Sequence, residues 1–528
     1  ATALSSVNET VNIPAAPAML TNTVVSGEKS TGVQQGITLT MTPATFSPAG
    51  RNVLTTAWYR CYTAQATASA TLASDCQQII GANTTTYTTT QNDVGYYLRA
   101  VATATNASGT ILSASANTSV VRETDVLSST WYATCVIKEG LVYCWGDNPY
   151  GQMGDGTTTD VLSPPAQPVK LANGNYLTGV VSVDTASEHT CALTYQGAMY
   201  CWGRNNWSQL GDGTTVAKSV ATPVTATATG GVGFTSDVVA ISAGEAHTCA
   251  LKRGGAAYCW GDNDYGQLGD GSVTTRVPPT QLLTAASTPL TNITDIEINR
   301  YNACALSNSG GVTGQIYCTG FNGNGAVGDG TATNRSYATK VNTSATTAGY
   351  VGATDISVGS HTICAVQSGA AMCWGYNNAG QVGNGNTTSV SYPTQVINTA
   401  ATPAISFTSG VVRVETSKSY PASSCFLKDT GALYCVGLGT SGQLTDGTAV
   451  SKTTPVASTM FTTGTTTMSL GDLFTCAIDA SGLSCVGSNT QGQLGNGTLV
   501  NSTTEVTQPV FDLHLGAVAV SYTHLRAH

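Results

Sequence analysis

A cysteine pair set inside a glycine-rich unit recurs seven times along this chain, and few folds accommodate such a repeat. The fullest copy reads His247-Thr-Cys-Ala-Leu251, then Tyr258-Cys-Trp-Gly261, then Gly266-Gln-Leu-Gly-Asp-Gly271. The leading cysteines are Cys135, Cys191, Cys249, Cys304, Cys364, Cys425 and Cys476, and successive copies start 51 to 61 residues apart. Each has a second cysteine, at Cys144, Cys201, Cys259, Cys318, Cys373, Cys435 and Cys485, so the pair separations are 9, 10, 10, 14, 9, 10 and 9. A period of this length marks a protein built from stacked or ring-arranged supersecondary units.

Between the two cysteines the pattern predicts a β-hairpin. Setting Cys249 opposite Cys259 places Ala250 across from Tyr258 and Leu251 across from Ala257, leaving Arg253-Gly254-Gly255 as the turn. A three-residue hairpin loop wants a left-handed residue last, and Gly is there. The same register gives Tyr195-Gln196-Gly197 and Asp429-Thr430-Gly431, and two-residue turns at Glu139-Gly140 and Ser368-Gly369. Opposed residues of an antiparallel pair lie about 4.5–5.5 Å apart at Cα, within reach of a disulfide. One bridge per repeat is therefore expected, each contributing about 2–3 kcal/mol through loop closure.

After the hairpin comes a loop of the form Gly-x-Asn-x-x-Gly-Gln-Leu-Gly-Asp-Gly-Thr, whose Asn and Gln amides suit backbone-dense turns. A Pro-containing strand follows, as at Pro223-Val224 and Pro455-Val456, and an apolar strand such as Val238–Ser242 leads into the next copy. One repeat thus reads as a four-stranded sheet, and seven of them in a ring make a propeller. The segments Gly244–Leu251, Tyr258–Gly261 and Gly266–Gly271 resemble the regulator-of-chromosome-condensation repeat family over roughly residues 123–519. That resemblance implies a seven-bladed β-propeller. Repeats four and six depart from it at Cys318-Thr319-Gly320 and Cys435-Val436-Gly437, which lack the Trp, and Ala326 replaces the Gln.

Composition bears on the compartment and the partners. Only 9% of residues are charged, against about 25% in an ordinary soluble domain, and the net charge is −9. With no block of Lys and Arg, no nucleic-acid partner is expected. None of the 16 cysteines falls in a CxxC pair, so disulfides in an oxidising compartment are expected over zinc ligands. No apolar run of about 18 residues is present, so no membrane span is expected within the sequence. The expected location is extracellular or on a bacterial cell surface, with an export signal expected upstream of Ala1.

Residues 17–122 differ in texture. Gly36–Met41, Ala57–Cys61, Tyr87–Thr90 and Tyr96–Thr105 are period-two strands, with Trp58 as a core anchor and Cys61 and Cys76 forming a local bridge. Trp58-Tyr-Arg-Cys61 and Asp93–Arg99 resemble bacterial immunoglobulin-like modules, so the expected fold is all-β: an immunoglobulin-like β-sandwich followed by the propeller. Residues 1–16 read as a linker or the tail of a preceding module. Residues 520–528 read as a translated sequencing adapter, and Asp512–Ala519 as the opening strand of another unit or a strand that closes the ring.

For chemistry, His189, His247 and His361 occupy the same repeat position, just before Thr-Cys or Thr-Ile-Cys, and are expected to bond neighbouring blades. No nucleophile elbow, phosphate loop or carboxylate pair points to an enzyme. Asp262–Gly266 with Asp270 resembles the start of a calcium loop, but Gly comes one position early and no Glu closes it, so neither metal nor cofactor is expected. Binding is better supported. Tyr150, Trp207 and Tyr265 occupy one loop position in three successive repeats, with Asp147, Arg204 and Asp262 three residues earlier. They are the candidate binding residues for a protein or glycan partner. The alternative, implied by the family resemblance, is guanine-nucleotide exchange or regulatory scaffolding.

Overall fold

The computed structural model describes residues 17–507 apart from 27–37, 48–51, 62–66, 73–75, 80, 90–92, 94–95, 117, 119–125, 165–166, 229–230, 345–348, 398–406, 419, 421 and 480. The readings of residues 1–16, of Asp512–Ala519 and of residues 520–528 lie outside the described residues. The chain divides into two compact units, one formed mainly by residues up to Val121 and the other mainly from Arg122 on. No helix among the described residues is long and apolar enough to cross a membrane.

The first unit holds three antiparallel sheets among its described residues. Its largest is built around the paired strands Val53–Cys61 and Tyr97–Asn106. Trp58 is fully buried, and its indole donates to the Thr84 carbonyl at 3.1 Å. Cys61 and Cys76 face each other across two strands and are bridged.

In the second unit each of the seven cysteine pairs lies in its own antiparallel sheet, as the hairpin register requires. In the third, Cys249 faces Cys259, Ala250 faces Tyr258 and Leu251 faces Ala257. The bridged Cα atoms are 4.1 Å apart in every case. Gly255, Gly197 and Gly431 close their turns at φ of 77°, 82° and 76°, where a Cβ would be strained. Six sheets have four strands in sequence order, and the outer strands carry Pro223, Pro393 and Pro455. Proline on the outermost strand leaves no N–H to template pairing with another chain.

Among its described residues, which exclude 165–166 of the outer segment, the first sheet has three strands and a single bridge from Gly146 to Val161, short of the four expected. Spacing and proline explain this. In the second sheet Lys218 pairs with Gly203 and Val224 donates to Met199 six residues later. In the first, the equivalent residues Val161 and Val169 are eight apart, and Pro164, Pro165 and Pro168 between them have no N–H to give a ladder.

The innermost strands are Leu127–Thr130, Val180–Thr185, Val238–Ala243, Ile293–Ile298, Ala353–Val358, Val411–Thr416 and Thr467–Leu470. Each touches the next, and the last touches the first. The joints between sheets explain the conserved look of the repeat. The carbonyl of Gln152 accepts the Thr190 hydroxyl at 3.1 Å and the Trp202 indole N–H at 2.8 Å, both from the following sheet. Gln209 receives Thr248 and Trp260 likewise. At the seam, the Gln493 carbonyl of the seventh sheet receives Thr134 and Trp145 of the first at 3.1 and 3.0 Å. The ring closes through the same joint that builds it.

Departures from the repeat alter the joint in different ways. Trp374 still donates to the backbone carbonyl at the Gln position, here Ala326. Thr319, in place of a Trp, has its hydroxyl 2.8 Å from Gly266 O, one residue before the Gln, and 2.6 Å from Arg335 O of its own sheet, while Val436 has no donor to offer. Within each loop the Asn and Gln amides act as expected. Asn263 Oδ1 accepts the Leu268 N–H and its Nδ2 donates to Asp270 and to two carbonyl-side partners, while Gln267 Oε1 accepts the Tyr265 N–H.

Candidate functional site

Two sets of loops emerge on one face of the second unit: those joining the first and second strands of a sheet, and those leaving the third. They are tied together repeat by repeat. Asp147 N–H donates to Tyr132 O, Arg204 to Glu188, Asp262 to Ala246, Phe321 to Tyr301 and Tyr376 to His361. Each of these positions follows the glycine that ends the third strand, so the residue types there line one rim.

The rim divides into two arcs. In the charged arc Arg204 lies over the Tyr150 ring at 5.0 Å and pairs with Glu188. Arg300 pairs with Glu245 at 2.9 Å and lies over the Tyr301 ring at 4.8 Å. Asp147 and Asp262 hold only amides among their described side-chain partners, Gln152 at 3.4 Å and Gln267 at 2.9 Å. Burial pushes the Asp147 carboxyl up to about 6, with Asp160 and Glu188 adding repulsion. Burial also raises Asp262, helped by Asp264, and Glu245.

The aromatic arc continues from Tyr265. Its ring meets Tyr301 at 5.0 Å and Phe321 at 5.4 Å. His361 stacks on Tyr301 at 5.2 Å and packs edge-on to Tyr420, which itself stacks on Tyr376. Tyr420 is 54% exposed, so this chain of rings reaches solvent instead of closing into the core.

Of the six residues singled out from the sequence, five fall on these arcs: Asp147, Tyr150, Arg204, Asp262 and Tyr265. Trp207 is 41% exposed, and no described ring contact involves it. Sequence reasoning missed Tyr301, Phe321, Tyr376 and Tyr420, and placed His361 between blades instead of on the rim. Phe321 and Tyr376 were findable, because they occupy the same position after the glycine as Asp147, Arg204 and Asp262. Asp262 and Asp270 turn to separate partners, Gln267 on one side and Asn263, Ser272 and Arg276 on the other.

The three histidines are not equivalent, and this corrects the sequence reading. His189 and His247 face the glycines Gly203 and Gly261, but in the fifth sheet Thr362 holds that place and His361 stands one residue earlier, on the rim. His189 bonds the neighbouring sheet as expected, Nε2 to Thr248 Oγ1 at 2.9 Å. His247 has no such bond, because the residue matching Thr248 in the fourth sheet is Ala303. Burial pulls His189 and His247 down to about 3, and His361 to about 4, so all three are neutral at pH 7.

A second feature lies on the axis. Lys418, 9% exposed, leaves the end of the sixth sheet's innermost strand and crosses to the second and third sheets. Its ammonium donates to Asp184 Oδ1 at 2.8 Å and Oδ2 at 3.1 Å, and to Ala243 O at 3.2 Å. Burial opposes the charge, but Asp184, Glu297 and Glu415 outweigh it and hold the group above the usual lysine range. Lys418 also lines a small polar cleft together with Ser128, Asp184, Glu297, Arg413, Glu415 and Ser469, among others.

Comparison with known proteins agrees with the fold. The family model of the RCC1-like domain matches residues 79–420. The Arabidopsis thaliana ultraviolet-B receptor UVR8 is 28% identical over 323 residues, covering 60% of this chain and 64% of that protein. Human HERC4, a probable E3 ubiquitin-protein ligase, is 30% identical over 205 residues, 39% of this chain and 18% of HERC4. The chain therefore spans less than two thirds of the length of these relatives. Among solved structures, human WBSCR16 superposes with a TM-score of 0.57 at 17% identity, covering 70% of this chain and 95% of that one. Saccharomyces cerevisiae Prp20p, whose structure was described with its binding to Gsp1p and histones, gives 0.53 at 16%, covering 72% and 88%.

Proposed function

The chain belongs to the RCC1-like domain family, and from that premise we propose that it is an exported binding protein: a seven-bladed propeller that grips a partner with one rim and performs no catalysis. The observation that carries the reading is the rim of rings and charges between Tyr150 and Tyr420, in which Tyr265, Tyr301, His361, Tyr420 and Tyr376 form an unbroken run of ring contacts, with Trp207 and Tyr420 open to solvent. Aromatic and Arg side chains dominate binding hot spots, because large rigid groups bury much area at little entropic cost. The eight disulfides support a secreted or bacterial cell-surface location, since reducing compartments keep thiols free. On this reading the first unit is an immunoglobulin-like spacer. Relatives such as Prp20p support a protein partner in preference to a glycan.

The test is the triple variant Tyr150→Ala/Trp207→Ala/Tyr265→Ala. It is expected to melt within a few degrees of the parent and to lose capture of the extracellular protein that the parent retains. Undiminished capture overturns the rim reading. A second reading is guanine-nucleotide exchange or regulatory scaffolding, which the family resemblance of the repeats implies. It predicts reactive thiols when the protein is alkylated in denaturant directly from cells, whereas the exported reading predicts almost none.

A further inference from the structure

The rim already solves the recognition of a cation twice with its own residues. Arg204 is seated between the Tyr150 ring and the Glu188 carboxylate, and Arg300 between the Tyr301 ring and the Glu245 carboxylate. A guanidinium is satisfied there by the two interactions it makes best, the charge-assisted bond and the approach to a ring face. Two further carboxylates of the same arc are left without such a partner. Asp147 and Asp262 hold the same loop position in the first and third sheets as Arg204 does in the second. Among the described ion pairs neither is included. Each stands three residues before the aromatic of its own loop, Tyr150 or Tyr265, and each accepts only a glutamine amide from the described side chains, with backbone N–H groups of Asn263 and Asp264 also reaching Asp262.

The charges along the arc do not balance. Asp147, Glu188, Glu245, Asp262 and Asp264 face Arg204 and Arg300, so negative charge remains on a partly buried surface. Burial raises the carboxyls of Asp147, Glu245 and Asp262, and neighbouring carboxylates add to it, so an ion pair there would relieve a charge already costly to hold. A neutral glycan would cover these carboxylates without compensating them, and an acidic segment would be repelled.

We propose that this rim docks a protein segment presenting two Lys or Arg side chains, one to the Asp147 carboxylate and one to the Asp262 carboxylate, on either side of Arg204's loop. The inference rests on the rim reading above and names the partner's chemistry. The probe is an acetylated, amidated peptide of four Arg-Gly repeats, titrated by calorimetry against the whole chain, with Gln-Gly repeats and cellohexaose as neutral counterparts. The arginine peptide is expected to bind and the neutral probes not to. Affinity is expected to fall about tenfold in Asp147→Asn/Asp262→Asn, and to weaken as salt rises from about 50 to about 300 mM. The control Asp237→Asn/Asp429→Asn removes equal charge at the hairpin-turn end of the sheets and is expected to bind within about twofold of the parent.

Equal losses in the two double variants, no arginine-peptide binding, or binding of cellohexaose that Asp147→Asn/Asp262→Asn leaves intact each overturn the proposal. The two readings fail separately. If the triple aromatic variant loses its partner while Asp147→Asn/Asp262→Asn keeps it, the rim binds but not through a cation. If neither variant loses it, the rim itself is not the site.

Discussion

At the scale of single residues, the chain places charge where burial makes it expensive and then compensates it. Lys418 is the clearest case: a buried ammonium held across the axis by Asp184 and the Ala243 carbonyl. Removing one partner of such a pair strands the other, at a cost of about 3–5 kcal/mol. Lys418→Met is therefore expected to lower the denaturant midpoint markedly, and an unchanged midpoint would show that the strut contributes nothing. Asp147 is the converse, a carboxylate with no cation. Its carboxyl stands near 6 in the folded protein, above its ordinary value of 3.8, so protonation favours the fold and stability is lost as pH rises through about 6. Asp147→Asn is expected to melt higher than the parent above pH 6 and to match it near pH 4. A parent that outlasts the variant at pH 7.5 would contradict that sign.

At the scale of elements, the loop after each hairpin does two things with one short sequence. Its Asn and Gln side chains fold the loop on itself, which frees a backbone carbonyl to receive Thr and Trp from the next sheet. The glycines allow the close approach. Gly266 has φ +80°, and a Cβ there would stand 2.7 Å from Ser336 Cα on the next sheet's outer strand. Gly266→Ala is expected to destabilise by about 1–3 kcal/mol, through strain alone and with no bond removed. A variant as stable as the parent in guanidinium would show that the joint is loose. The hairpins were legible because two constraints, opposed cysteines and a turn-closing glycine, agreed on one register. The outer ladder that the first sheet lacks among the described residues was not read from the sequence, although Pro164, Pro165 and Pro168 between Val161 and Val169 are a breaker signal, because a single proline sits harmlessly on the outer strand of other repeats. The rim was half legible: Tyr150 and Tyr265 share a motif position, but Tyr301 and Tyr420 come from loops whose lengths vary, so only three-dimensional proximity joins them. His361 misled for the same reason, one inserted residue before its cysteine moving it from the interior to the rim.

At the scale of the whole molecule, a ring differs from an open stack in one respect: its first and last units have no free faces. Here the first sheet's Leu127, Val136 and Trp145 share a core with Phe474, Ile478 and Leu494 of the seventh. The Ser129 N–H donates to Ser469 Oγ at 2.7 Å, the kind of bond by which Thr185 N–H meets Ser128 inside the ring. The rim on which binding is proposed exists only if this seam holds, because closure fixes the loops of successive sheets side by side. Amide hydrogen exchange followed by mass spectrometry on peptides spanning the innermost strands reads the seam directly. Closure predicts that Leu127–Thr130 and Thr467–Leu470 are as protected as Val238–Ala243. Rapid exchange confined to those two seam strands, with the interior ones still protected, would mean an open arc and contradict the account.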